Sequence, residues 1–581
     1  MENVQEKRDA WLKSDLVSDK DKAFIQTCNK ATIEEMFGSN LSFGTAGLRA
    51  LLGPGTSRMN SLTVRRATIG VSRFILNRYG SQEASSRGVA ISFDNRHYSK
   101  EFRDIACKVF IEQGIKVYTF HNPHPTPELS YAIRKLNCLG GIMITASHNQ
   151  REYNGYKFYD EKGCQGVYET IDELISIINS LPDELSVKYH PVDEDHFGIV
   201  TYLDDTNDFD IEYINEEAKT SLFRNSFGGI KKTRIVFSPS CGCNCVVAPM
   251  LLTKAGYPFA VVPGQDKFDP DFTGMDDPNP ENDAAYAGAI AYLNSNIVNK
   301  YNLILVTDPD ADRCGLAFLD SKGKISRLTG NQIGALLLEY KLSVLKERNE
   351  LPSSGVVCTT FVSSTQAQRI CEYYGVTIRI LATGFKYIGN LIDKVKFNSQ
   401  KFLFGFEESY GYLLTDLVRD KDSLQAIIAI ADMCEYYLRR GLTLDLAYER
   451  LCNRTGTFYN TQKNITIKGV GSLEKVKNGI NKLRSTMIES LGTLRVKTIT
   501  DYLKRTIINI GTNSGVAIGD NDIDRTDCLR YDFKDGGYVA IRPSGTEPKV
   551  KIYFEIYNKS DAEAQVLVNK INDQIRHISG L

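Results

Sequence analysis

The chain lacks a charge excess of either sign: Lys and Arg total 70 against 71 Asp and Glu, a net charge of −1 at pH 7 with histidine neutral. Such balance supplies no global field for nucleic acid or an anionic membrane, so neither is expected as a partner, and any anionic ligand is left to a local cluster. No apolar run approaches the roughly 20 residues that span a bilayer. The start, residues 1–9, is too charged for a signal peptide, and the expected location is the cytoplasm. The 13 cysteines, an odd number scattered from Cys28 to Cys528, suit a reducing compartment better than a disulfide framework. Also missing are a Walker A sequence, a G-x-G-x-x-G after a strand and a G-x-S-x-G, which removes ATP, dinucleotide and serine-hydrolase sites from expectation. What is present is ordinary: 42% hydrophobic and 24% charged residues, a composition that excludes disordered, collagen-like and coiled-coil chains. At roughly 150 residues per domain, the length allows about four domains.

Residues 5–37 are charged, with sparse apolar positions and no turn punctuation before Gly38, and read as an amphipathic helical leader packed on the surface. Beyond it, short β-branched runs lead into Gly- or Pro-punctuated loops and then into helical periodicity, the pattern of α/β units. Buried strands are expected at 89–93, 115–120, 141–145, 234–237, 259–262, 303–307, 356–361, 376–381 and 402–406. Alternating runs at 538–541 and 550–557 read as a smaller α+β domain. The expected domains are 1–40 (leader), 41–207, 208–325, 326–455 and 456–581. Ligands of α/β sheets bind beyond the carboxyl ends of strands, so the polar loops after 145, 307 and 406 are the candidates for a shared cleft.

Asp308, Asp310 and Asp312 alternate along one loop, so their carboxylates can close on a single cation, and oxygen-only ligands select a hard ion, Mg²⁺. An EF-hand is excluded because its sixth and twelfth positions are Arg313 and Leu319. A solvated acidic turn has the same spacing. Ser147, at a strand end with His148 beside it and Lys157 close behind, can carry a phosphoryl group where a cation and an ammonium neutralise the equatorial oxygens; a turn or cap is the plainer reading of a lone serine. Arg542, Ser544, Gly545 and Thr546 in the loop 542–549 can clamp a phosphate monoester, although Pro543 and Pro548 also suit a surface turn. Glu407 and Ser409 can bond vicinal hydroxyls, while two adjacent glutamates equally suit a solvated helix start. Cys241, Cys243 and Cys245 are not spaced as zinc ligands and have no partner pair nearby.

Taken together, T-A-S-H-N at 145–149 with N-G-Y-K at 154–157, D-P-D-A-D-R at 308–313, G-F-E-E-S at 405–409 and R-P-S-G-T-E-P-K at 542–549 resemble the α-D-phosphohexomutase superfamily, in order and in spacing, over about 41–557. F-G-T-A-G-L-R at 43–49, T-G-F-K at 383–386 and R-D-K-D-S at 419–423 add to the likeness, which is greatest for the phosphoglucomutase/phosphomannomutase branch that includes phosphopentomutases and bisphosphate synthases. The resemblance implies a heart-shaped α/β molecule of four domains, three related α/β units and a C-terminal α+β domain similar to the TATA-box-binding-protein fold. It implies a phosphoserine at Ser147, Mg²⁺ on Asp308, Asp310, Asp312 and that phosphoserine, and a transfer site lined by Arg49, His148, Lys157, Arg313 and Lys386. Glu407 and Ser409 then grip the sugar, and Arg542, Ser544, Gly545 and Thr546 hold the phosphate that is not transferred. Lys157, His148 and Arg49 all stand as candidates for the general acid/base. The implied activity interconverts hexose 1- and 6-phosphates, glucose first, with hexose 1,6-bisphosphate as intermediate and activator, in a monomer or homodimer. Alternatives are phosphomannomutase, phosphopentomutase or hexose 1,6-bisphosphate synthase, and, in another class, a non-catalytic sugar-phosphate sensor. One departure is that Cys241 stands where the family often has histidine, so that loop's role is not carried over.

Overall fold

The computed structural model describes every residue except 1, 45–46, 224–229, 296–299, 468–470, 513, 520–524 and 545–548, and leaves out the side chains of 2, 168 and 397. The chain divides into two compact units, one of Met1–Leu328, Phe385–Asn398 and Ser409–Gly441, the other of Thr329–Gly384, Ser399–Glu408 and Leu442–Leu581.

The first unit opens not with one helix but with three: Glu2–Lys13, Asp19–Thr27 and Lys30–Phe37. Ser18 and Asn29 cut the leader because each side chain caps the following helix, accepting from the backbone N–H of Asp21 and Thr32 respectively. Trp11, Ile25, Met36 and Phe37 converge in a small core of their own, and Trp11 Nε1 donates to Glu184 at 3.2 Å.

Six strands follow: β1 (Leu48–Leu51), β2 (Val89–Phe93), β3 (Val117–Thr119), β4 (Gly140–Ile144), β5 (Tyr153–Asp160) and β6 (Val200–Tyr202), in the order β1-β5-β4-β2-β3-β6. β2 and β4 are buried at every position because helices cover both faces. Val89, Ile91 and Phe93 enter one core with the helices Ser61–Ser86 and Ser99–Ile111, while Ala90 faces Leu129, Ala132 and Ile133 of the helix Thr126–Lys135. β4 and β5 pair antiparallel through Met143 and Lys157, so the Ser147 loop is the connection of a hairpin.

A second sheet contains β7 (Ile235–Ser238), β8 (Phe259–Val261), β9 (Leu303–Thr307), β10 (Cys314–Leu319) and β11 (Ile325–Arg327), ordered β11-β10-β9-β7-β8. Thr307 pairs with Cys314, which leaves 308–313 as the loop of the β9/β10 hairpin. Both candidate loops therefore leave the carboxyl ends of fully buried strands, where rigid flanking ladders hold them in place.

In the second unit β12 (Gly355–Thr360) lies parallel to both β13 (Thr377–Leu381) and β14 (Lys401–Glu407). β15 (Gly411–Leu413) belongs to the first unit, as does the helix Ser423–Arg439. The expectation of buried strands fails at β8 and β13, whose residues are half-buried or exposed. Each ends its sheet, and an edge strand has a neighbour on one side only. The C-terminal region is an antiparallel sheet of β16 (Phe458–Thr466), β17 (Ser490–Leu491), β18 (Leu494–Asp501), β19 (Thr506–Asn509), β20 (Ser514–Ala517), β21 (Leu529–Phe533), β22 (Gly537–Pro543) and β23 (Lys549–Tyr557). Val476, Ile480, Val568 and Ile571 from the helices Ser472–Ser485 and Asp561–Ser579 pack on that sheet.

Candidate active site

Ser147 sits just beyond β4 with φ +54°, a left-handed conformation that costs a non-glycine residue and persists where the surroundings over-determine it. The constraint is visible. The Ser147 N–H donates to Thr145 Oγ1 at 2.7 Å. The guanidinium of Arg96 donates to the carbonyls of Ser147 and Asn149, and through Nη1 to that of Gln150 at 2.8 Å. Arg96 is itself held by Asp94 at 3.1 Å, with both side chains fully buried. This pair, directly after β2, was not singled out from the sequence; its signal is a charged D-N-R run at the carboxyl end of an apolar strand.

With the loop so held, Ser147 Oγ donates to Asp308 Oδ2 at 3.1 Å and lies 3.1 Å from His148 Nδ1. Asp308 Oδ1 accepts the backbone N–H of Asp312 at 3.1 Å and of Arg313 at 3.0 Å, which curls the acidic loop around it. One carboxylate oxygen from each of Asp308, Asp310 and Asp312 lies within 4.8 Å of the others, and all three residues are buried. Asp310 Oδ1 and Asp312 Oδ1 accept no hydrogen bond from the described residues. Buried carboxylate oxygens left without donors are costly unless a cation takes them, so the triad fits a metal ion bound by oxygen alone.

Cations of the chain ring the triad. Lys157 Nζ lies 2.9 Å from Asp310 Oδ2, Lys421 Nζ 2.7 Å from Asp312 Oδ2, and Arg313 Nε 3.8 Å from Asp308 Oδ2. Burial opposes ionisation of Asp310, but Lys157 and Lys421 overcome it and hold this carboxyl below its ordinary range. Burial and then the charges of Asp312 and Asp310 push Asp308 the other way, well above its ordinary value. His148 is held well below its ordinary value by burial and by the like charges of Arg313 and Arg49, so its imidazole is neutral.

The other expected residues fall into three groups. Arg49, on β1, donates from Nη1 to Asn149 Oδ1 at 3.2 Å, and Arg313 Nη1 pairs with Glu281 at 2.6 Å, which brings both to this loop cluster. Lys386 is the second residue of the helix Phe385–Phe397 of the same unit, its ammonium 5.2 Å from the Tyr387 ring centre, and Ser409 is half-buried in that unit. Glu407 closes β14 in the second unit rather than starting a helix, and its Oε1 accepts the Gly384 N–H at 2.8 Å. Arg542 lies in β22, and the Ser544 N–H donates to the Lys549 carbonyl at 2.8 Å; Gly545 and Thr546 lie outside the described residues.

Three supports of the triad were not assigned a role from sequence. Thr126 donates its N–H to the Asp310 carbonyl at 2.9 Å and its hydroxyl to Asp310 Oδ2 at 3.1 Å. Lys421 neutralises Asp312 from just before the helix Ser423–Arg439. The segment beginning at Cys241 is the floor of the acidic loop: the Cys243 N–H donates to the Pro309 carbonyl at 2.8 Å, and a Cβ on Gly242 would lie 2.4 Å from that oxygen. Burial raises the Cys241 thiol to about 11, so the residue that departs from the family pattern is a neutral packing group.

Phosphoglucomutase/phosphomannomutase α/β/α domains I, II and III match residues 40–184, 211–321 and 329–454, and the C-terminal domain of the same family matches 501–574. These matches give the four-domain α/β architecture expected from the sequence. The chain is 32% identical over 541 residues to a phosphoglucomutase of Staphylococcus aureus strain N315, covering 92% of this chain and 93% of that one. It is 31% identical over 557 residues to the phosphoglucomutase of Staphylococcus haemolyticus, covering 94% and 96%. The crystal structure of the Paramecium phosphoprotein pp63/parafusin, a phosphoglucomutase in its open form, shares the fold with a TM-score of 0.64 at 18% identity, over 93% of this chain and 95% of that one. With all four of its domains matched and the likeness running nearly end to end, the chain belongs to the phosphoglucomutase/phosphomannomutase family of the α-D-phosphohexomutase superfamily.

Proposed function

We propose that this chain is a Mg²⁺-dependent phosphoglucomutase that exchanges phosphate between C1 and C6 of glucose through phospho-Ser147 and a glucose 1,6-bisphosphate intermediate. The observation that carries the reading is the 3.1 Å hydrogen bond from Ser147 Oγ to Asp308, which sets a nucleophile against the oxygen triad and its ring of cations. The phosphoglucomutase names of the relatives support glucose as the sugar.

Asp308, Asp310 and Asp312, with an oxygen of the phosphoserine, would hold Mg²⁺, which when bound supplies neutralisation of the charge on the transferring phosphoryl group. The chain's own residues do the rest. In the first half-reaction a sugar hydroxyl attacks phosphorus, the bond to Ser147 Oγ breaks, the hydroxyl's proton ends on Ser147 Oγ, and a bisphosphate forms. It turns over, and Ser147 Oγ then attacks its other phosphate, whose bond to the sugar oxygen breaks, so that this oxygen takes up a proton and leaves as the hydroxyl of the product. Ser147 must lose a proton in that step: its hydroxyl turns from Asp308 to the neutral imidazole of His148, 3.1 Å away at Nδ1, which takes the proton. Lys157, Arg49, Arg313 and Lys386 supply positive charge to the transfer site. Glu407 and Ser409 hold sugar hydroxyls, and Arg542, Ser544, Gly545 and Thr546 hold the idle phosphate, by match to the family pattern. We place the enzyme in the cytoplasm as a monomer or homodimer; its 13 free cysteines, which suit a reducing compartment, support the location.

The test supplies glucose 1-phosphate, Mg²⁺ and catalytic glucose 1,6-bisphosphate to the purified chain and follows glucose 6-phosphate, beside mannose, ribose, deoxyribose and N-acetylglucosamine 1-phosphates. Glucose is expected to have the highest kcat/KM. A higher value for another sugar replaces the substrate, and net release of glucose 1,6-bisphosphate at the expense of a phosphate donor makes the enzyme a synthase.

A further inference from the structure

A second buried cluster lies outside the site just described. His124, Glu128 and Asp210 each place one ligand atom within 4.8 Å of the other two, and all three are buried. His124 Nε2 stands 3.2 Å from Asp210 Oδ1, while its Nδ1 is 2.9 Å from the Asn122 carbonyl. A carbonyl only accepts, so Nδ1 carries the proton, and in the neutral ring the Nε2 lone pair faces the Asp210 carboxylate. Burial opposes charge on the ring, but Glu128 and Asp210 outweigh it and raise His124 to about 9, so without an ion a proton on Nε2 bridges the ring and Asp210, and an ion bound there takes that proton's place.

Glu128 supplies the independent observation. It is 0% exposed, and among the described residues no N–H or hydroxyl reaches either of its carboxylate oxygens, whose hydrogen-bond contact is the Asp210 carboxyl. Glu217 and Asp422 are equally buried, and Glu217 Oε2 is also without a partner. Among the described residues, Glu128, Asp210, Glu217 and Asp422 form no ion pair with lysine or arginine; His124 is the cluster's one ion-pairing base. Buried carboxylates in excess of their cations take up either protons or a metal ion.

The geometry points to a second divalent-cation site formed by His124 Nε2, Glu128 and Asp210, separate from the Asp308 triad. A neutral imidazole and two carboxylates balance the charge of a divalent ion. The mixed nitrogen and oxygen donors select a first-row transition ion such as Mn²⁺ or Zn²⁺ over Mg²⁺. The hydrogen bond from Nδ1 to the Asn122 carbonyl is the outer-shell contact that orients a ligating histidine. The ion would join the helix Thr126–Lys135, which bears Glu128, to the helix Asp208–Ala218, which bears Asp210. Thr126 at the start of the first of these helices holds Asp310, so one helix start serves both acidic centres.

The experiment loads the full-length, chelator-stripped protein with Mn²⁺ and records binding stoichiometry together with pulsed electron paramagnetic resonance. The wild type is expected to bind two equivalents, one of them with the ¹⁴N coupling of an imidazole ligand, which an all-oxygen triad does not provide. In Glu128→Gln the nitrogen-coupled ion is expected to weaken at least about 100-fold, beyond the usual cost of losing an outer-shell partner, while the oxygen-only ion stays. His124→Gln gives the same comparison if the first variant does not fold. A single equivalent without nitrogen coupling in the wild type overturns the site and leaves a shared proton as the occupant. Nitrogen coupling that persists in both variants overturns it as well. Neither result bears on mutase activity, which is measured separately in Mg²⁺.

Discussion

Two buried acidic centres lie in the first unit, and they handle the same electrostatic problem in opposite ways. Around Asp308, Asp310 and Asp312 the chain places Lys157, Lys421 and Arg313, and Asp310 is held ionised. Around Glu128 it places one histidine, and burial, against the pull of His124, lifts that carboxyl from the ordinary 4.5 to about 8. The difference teaches that burial alone does not set a carboxyl's charge. The centre ringed by fixed cations keeps Asp310 ionised even as its neighbour Asp308 is pushed up, whereas a centre without lysine or arginine among the described residues takes up a proton or an ion.

The comparison breaks most completely if chemistry does not depend on the ringed centre. Ser147→Ala is expected to abolish turnover and to leave the intact mass of the purified protein without a phosphoryl group; a variant retaining more than about a few per cent of wild-type turnover, clear of contamination, removes Ser147 as carrier. Next in size is Arg96→Met, which strands Asp94 uncompensated in the interior and frees the Ser147 loop. A loss of about 3–5 kcal/mol in denaturant unfolding is expected, and a loss below about 1 kcal/mol would deny Arg96 its positioning role. Asp310→Asn keeps volume but removes a charge from the ringed centre, so kcat is expected to fall about 100- to 1000-fold, with more Mg²⁺ needed for half-activity. Unchanged activity and Mg²⁺ dependence would dissolve the distinction between the centres.

A pH effect sharpens the comparison from the other side. The folded-state pKa of Glu128 is raised, so its contribution is fully present below the unfolded value and declines as pH rises toward about 8. In metal-free protein, wild-type stability is therefore expected to fall relative to Glu128→Gln by about 1.4 kcal/mol per pH unit between those values, read from unfolding curves across the range. Parallel pH profiles would mean that Glu128 ionises in the fold as it does outside it.

Much of the ringed centre was legible before folding because its parts are contiguous. Asp308, Asp310 and Asp312 announce a cation by spacing alone, and Ser147 follows an apolar run that reads as a strand. The second centre was not legible. His124 and Glu128 lie near Asp210 only because two helices bring positions 86 residues apart into contact, and each looks unremarkable in its own segment. Lys421 and Thr126 escaped notice for the same reason, since their partners, Asp312 and Asp310, are distant in the chain. Ser18 and Asn29 were readable capping residues, but the absence of Gly and Pro across 5–37 drew the leader as one helix where there are three.

By itself, then, the sequence determined the α/β character, the family and the local chemistry of each loop, because hydrophobic periodicity and short polar motifs are properties of neighbouring residues. Only the tertiary structure decided which charges meet. It set Ser147 against Asp308 across 161 positions, tied Lys157 to Asp310 across 153, and left Glu128 buried with no lysine or arginine paired to it among the described residues. Coulomb interactions and desolvation act through space at a few ångströms, and the chain order carries no record of those distances until the sheets have packed.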